Sequence, residues 1–143
     1  MKKHEAVYEF IKQYPPLDGI LYFNSIEEFY QATGLIPVYG DNVQTEYTSG
    51  DAEKLYTFAI VQMKAFDTGT SDVNLQAMQD AEAFADWIEQ KNEEHNFPIF
   101  PENCHISKIK SLQNMPNMAG TNEQGIAKYM MQFQIEYFEE RRK

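Results

Sequence analysis

The stretch IAKYMMQFQIEYFEERRK, residues 126–143, constrains this chain more than any other. Tyr129, Met131, Phe133, Ile135 and Tyr137 fall on one side of an extended backbone. Lys128, Gln132, Gln134 and Glu136 fall on the other, with Met130 and Phe138 as apolar exceptions. Alternation at period two is what a half-buried antiparallel strand requires, because successive side chains leave a strand on opposite faces.

A second extended run lies upstream. VQTEYTSGDAEKLYTFAIVQMKAF reads as a hairpin with SGDAE at its turn and a second arm from Lys54 to Phe66. Along that arm Tyr56, Phe58 and Ile60 share one face, and Leu55, Ala59, Val61 and Met63 share the other. A strand apolar on both faces is either central and covered on both sides or gives one face to a partner chain.

Helical spacing appears twice. Residues 3–14 set Val7, Phe10, Ile11 and Tyr14 at i, i+3, i+4 and i+7, and Pro15-Pro16 stop the pattern. Val73, Ala77, Ala81, Phe84 and Ile88 mark a longer helix ending near Asn92, with Ser71 or Asp72 placed to cap it. Its alanines allow a close approach to a sheet. Between these helices, GILYFN (19–24) reads as a short strand, and SIEE (25–28) is a capping box that predicts a helix over 26–32 ending near Gly34. Pro37, Gly40, Asp41 and Asn42 make the next stretch irregular. CHISKIKSL (104–112) reads as a further strand, and QNMPNMAGTNEQG (113–125) as a polar, turn-rich connection. The order predicts one α+β domain over residues 1–143, a mostly antiparallel sheet of about four strands with helices packed on one side.

Composition narrows the functional classes. With 22 acidic against 12 basic residues the formal net charge is −10, which repels nucleic acid rather than gripping its phosphates. Cys104 is the one cysteine, so an intrachain disulfide and a cysteine zinc site are both excluded. No run is apolar enough for a signal peptide or a membrane helix. These features lead us to expect a soluble, cytoplasmic protein.

The search for chemistry finds little. His4, His95 and His105 lack metal-ligand spacing, and the EEHN run at 93–96 is explained by the preference of a helix C-terminus for cations. Cys104 and His105 are strand neighbours and point to opposite faces, so they form no nucleophile–base pair. Seven scattered glycines supply no phosphate-cradling loop. The carboxylate pairs Glu27–Glu28, Glu93–Glu94 and Glu139–Glu140 lie in polar surroundings, where solvation is the simplest role. No catalytic residue, cofactor or metal is expected.

Taken together, GDAEKLYTFAIVQMKAF, AEAFADWIEQKN, a proline-bearing exit and AKYMMQFQIEYFEE resemble a family of small phage structural proteins. These are the minor capsid or tail-terminator-like proteins of long-tailed phages and prophages of Gram-positive bacteria. The resemblance runs from about Tyr47 to Glu140 and is carried by Tyr47, Gly50, Phe58, Trp87, Ile88, Tyr129 and Tyr137, read as core positions. The IEEFYQATG and IPVYGDN segments depart from it. It implies a ring, typically six-fold, that ends the tail tube and offers a surface to head-completion proteins, with DNA only as passing cargo. Such a protein assembles in the cytoplasm and ends in the virion, and its mechanism is geometric. On this reading Glu136, Glu139, Glu140, Arg141, Arg142 and Lys143 are candidate contacts to a neighbouring copy or the tube. The alternatives are another head–tail connector, tail-completion or minor capsid protein, or a host α+β domain that binds a small molecule.

Overall fold

A computed structural model describes residues 2–14, 21–23, 33–38, 43–65, 72–112, 117–121 and 126–140. In chain order its elements are α1 (Lys3–Ile11), β1 (Leu21–Phe23), β2 (Thr33–Val38), β3 (Val43–Glu46), β4 (Ala52–Ala65), α2 (Asp72–Glu93), β5 (Cys104–Ser111), β6 (Asn117–Thr121) and β7 (Ile126–Glu139).

The two longest strands form the spine. β4 and β7 pair antiparallel over fourteen residues each, from Ala52↔Glu139 to Ala65↔Ile126, without a register shift. At the usual rise this ribbon is about 47 Å long. The sheet order is β1-β2-β4-β7-β5, with β3 continuing the β2 side of β4 and β6 continuing the β5 side of β7. Apart from the parallel β1–β2 pair, the pairings among the described residues are antiparallel.

The fold is α+β, and the sheet is mostly antiparallel as expected, with the β1–β2 pair as its parallel part. It differs from the expectation in size, being five strands across rather than about four. Residues 34–38, read as irregular, belong to β2, Pro37 included. Among the described residues β1 pairs with β2 only from Thr33 to Leu35, so Pro37 stands beyond that pairing, toward the edge, the place a missing N–H is tolerated. Part of the connection at 113–125 is likewise a strand, β6, which is bulged where it meets β7. The helix predicted for 26–32 lies outside the described residues.

Both helices cover one face. Val7, Phe10 and Ile11 of α1 and Ala81, Phe84 and Ile88 of α2 join Tyr56, Phe58, Ile60, Met131, Phe133 and Ile135 in one core cluster. α1 ends earlier than the spacing predicted, in a tight turn where Gln13 and Tyr14 donate to the carbonyls of Phe10 and Ile11. α2 closes with Asn96 N–H on the Lys91 carbonyl at 2.9 Å, and His95 takes the left-handed conformation (φ 53°) usually given to glycine. The hairpin turn sits slightly before the predicted SGDAE. Tyr47 N–H bonds the Asp51 carbonyl, and Gly50 (φ 93°) supplies the left-handed residue.

Candidate functional site

The charged end of β7 is drawn inward rather than left free. Glu139 has the same strand parity as Tyr137 and Ile135, so it faces the helices and lies opposite Ala52 and Cys104. Lys3, the first residue of α1, reaches its Oε1 at 2.9 Å, and Lys54 of β4 bonds its Oε2. The Lys3 ammonium also rests 5.0 Å from the centre of the Tyr137 ring.

The electrostatics follow from this geometry. Burial by itself disfavours the Glu139 charge, but hydrogen bonds from Lys54 and Lys3 outweigh it and hold the carboxyl at about 2. Burial likewise opposes the Lys3 charge, yet Glu139 and Tyr137 raise its pKa above the ordinary lysine value. Cys104 Sγ lies 3.5 Å from Glu139 Oε1, and burial foremost raises the thiol pKa despite the nearby ammonium groups. A carboxylate kept ionised at neutral pH and doubly paired is a poor proton carrier, and a thiol held protonated is a poor nucleophile. The cluster is suited to fastening the start of α1 to the end of the sheet.

The sequence held a signal for this arrangement. Lys54 shares parity with Tyr56 and Phe58, as Glu139 does with Tyr137, so both charges were committed to the helix side. The partner Lys3, 136 residues away from Glu139, carried no such mark.

The remaining candidates separate. Glu136 faces the other side of the sheet, with Oε2 3.1 Å from Lys108 Nζ but no hydrogen bond to that atom. Glu140 is exposed, 3.3 Å from His105 Nε2, and its backbone bonds Asn103 through both the amide and the carbonyl. Arg141, Arg142 and Lys143 lie outside the described residues. Of the positions read as core, Phe58, Ile88, Tyr129 and Tyr137 are buried and Trp87 is half-buried against Phe10, Tyr14 and Phe84. Gly50 holds the hairpin turn. Tyr47 is no core residue. It is 44% exposed beside Phe138 at the sheet margin, where the Glu53 carboxylate, more than burial, raises its pKa.

The sheet face away from the helices is mixed. At one end Val61 and Met63 are buried, with Tyr22, Ile36 and Met130 packed on them. Toward the other end Leu55, Thr57, Gln132, Gln134, Glu136 and Phe138 are half-buried, with Gln134 donating to Thr57 Oγ1 at 3.3 Å. A cleft of about 350 Å³ runs between α2 and β5 and is lined by Asp86, Glu89, Asn92, Ile109, Lys110 and Ser111 among others. There Asn92 Oδ1 accepts the Ile109 amide at 2.8 Å, which closes an edge N–H of β5 with a helix side chain.

Among the described residues no group of three or more His, Cys, Asp or Glu side chains is placed to hold a metal ion. None of the helices there is long and apolar enough to cross a membrane. No family model matches the chain, and no curated protein matches its sequence.

Proposed function

We propose that the chain is a virion structural protein of the phage head–tail neck, of tail-terminator type, which caps the tail tube as a ring and joins it to the head. The observation carrying this reading is the unbroken β4–β7 ribbon with α2 packed on one face, because these three elements supply most of the residues that carry the resemblance. A long, stiff ribbon covered on one side provides a wedge of fixed shape, which a ring requires of its subunits. Heterologous contacts around a closed ring would present a far surface that no further tube subunit matches. The partners are other copies of the chain, the tube protein and head-completion proteins, with DNA passing through. Co-sedimentation with assembled tail tubes tests the reading. Binding confined to one tube end, with tube length then fixed, supports it, and failure to bind tube ends refutes it.

The α2–β5 cleft favours a second reading, a small-molecule-binding domain. Its volume is at the low end for ligand sites, and Asp86, Glu89, Asn92 and Lys110 give it polar walls rather than the usual apolar ones. A screen of small cationic and zwitterionic metabolites, followed by the amide resonances of Ile109 and Lys110, separates the two.

A further inference from the structure

We propose that the α2–β5 cleft binds a free aliphatic amino acid as its zwitterion, with the ammonium group at Asp86 and Glu89 and the carboxylate at Lys110 and Asn92. This deepens the small-molecule reading of the cleft and rests on it.

The cleft carries charges of both signs that do not close on each other. Asp86 and Glu89 stand about one turn apart on the α2 wall, and Lys110 stands on the β5 wall. Among the described residues none of these three forms an ion pair. Other lysines do take a nearby carboxylate: Lys91 meets Glu94, Lys108 meets Glu136, and Lys3 and Lys54 share Glu139. Like charges on neighbouring turns of a helix repel, and a cation held between them relieves the repulsion. A simple amine would bring its charge against Lys110, and a simple carboxylate would meet Asp86 and Glu89. A zwitterion satisfies both walls at once.

The uncharged lining fits the same ligand. Asn92 Oδ1 is taken by the Ile109 amide at 2.8 Å, which fixes the side chain and leaves Nδ2 as a donor for the ligand carboxylate. Ala85, Ile88 and Ile109 supply apolar surface for a hydrocarbon side chain, and the two isoleucines are buried. A volume of about 350 Å³, at the low end for ligand sites, suits a molecule the size of leucine rather than a nucleotide.

Titration of the isotope-labelled full chain at low ionic strength with L-leucine, isoamylamine and isocaproate tests this. The three share one hydrocarbon chain; the amine lacks the carboxylate and isocaproate lacks the ammonium group. L-leucine is expected to move the amide resonances of Ile109, Lys110 and Ser111 with a dissociation constant on the order of 10 mM. The other two should bind at least about tenfold more weakly. Glu89→Gln and Lys110→Met should each weaken leucine by about threefold, while Glu102→Gln, outside the cleft, leaves it unchanged. Both cleft positions are exposed, and thermal unfolding checks that the variants keep the fold.

Isoamylamine binding as tightly as leucine makes the cleft a plain cation site, which overturns the proposal and leaves the small-molecule reading in place. Variants that bind leucine like wild type overturn it too. So does an absence of any shift at those amides up to about 100 mM leucine. The broader metabolite screen then decides the small-molecule reading separately.

Discussion

Phe58 and Phe133 stack across the β4–β7 pair, their ring centroids 5.6 Å apart at an interplanar angle of 30°, with neither reached by solvent. Phe84 of α2 meets Phe133 edge-on at 5.7 Å, so three rings join the ribbon to its covering helix. Phe133→Ala is expected to cost about 3–5 kcal/mol, since it removes a ring and leaves a cavity between layers that cannot collapse together. Phe133→Leu should cost only ~1 kcal/mol. Trp87, the one tryptophan, lies 5.9 Å from Phe84 and reports both in urea unfolding followed by fluorescence.

Glu139 makes stability depend on acid. Its folded pKa of about 2 lies below the ordinary 4.5, so its contribution is complete above about pH 4.5 and is lost as pH falls toward 2. The carboxylate is partly solvated, and after allowance for screening we expect about 1–2 kcal/mol. Glu139→Gln should therefore be less stable than wild type by that amount at pH 7, with the gap closing between pH 4.5 and 2. Unfolding curves over that range check it, and a gap that persists at pH 2 would place the effect elsewhere.

Asn92→Ala leaves the Ile109 amide without its acceptor and opens the β5 edge. A loss of about 1–2 kcal/mol is expected from the stranded donor. Hydrogen exchange at Ile109 should accelerate, and the unprotected edge should raise aggregation on warming.

Gln62 runs against intuition. It is 5% exposed, and its Oε1 has no hydrogen-bond partner. Gln62→Met keeps the shape and removes the stranded oxygen, so we expect neutrality or a gain of up to about 1 kcal/mol in denaturant unfolding. A loss greater than 1 kcal/mol would mean that the amide group is held by an interaction beyond its oxygen.

Several features were legible before the fold was known. Tyr129 to Tyr137 are buried at every second position as the alternation requires, and the α2 spacing gave Ala81, Phe84 and Ile88 their places. β2 was missed because Pro37 argues against a strand wherever both neighbours are assumed present. β6 was missed because polar, glycine-bearing sequence gives no alternation to read. At the candidate site, the inward turn of Glu139 was written in its parity with Tyr137, yet its charge suggested a solvated tail.

The sequence by itself determined which side chains of β4 and β7 turn inward, where the hairpin reverses at Gly50, and which stripe of α2 is buried. Those outcomes follow from local backbone geometry, in which two or 3.6 residues per repeat decide the direction of each side chain. Only the tertiary structure decided that β4 and β7 lie side by side in unbroken register, that β1 joins β2 in parallel, and that Lys3 meets Glu139. Each of these is a choice among distant partners with similar local pattern, settled by the packing energy of the assembled layers rather than by any one segment.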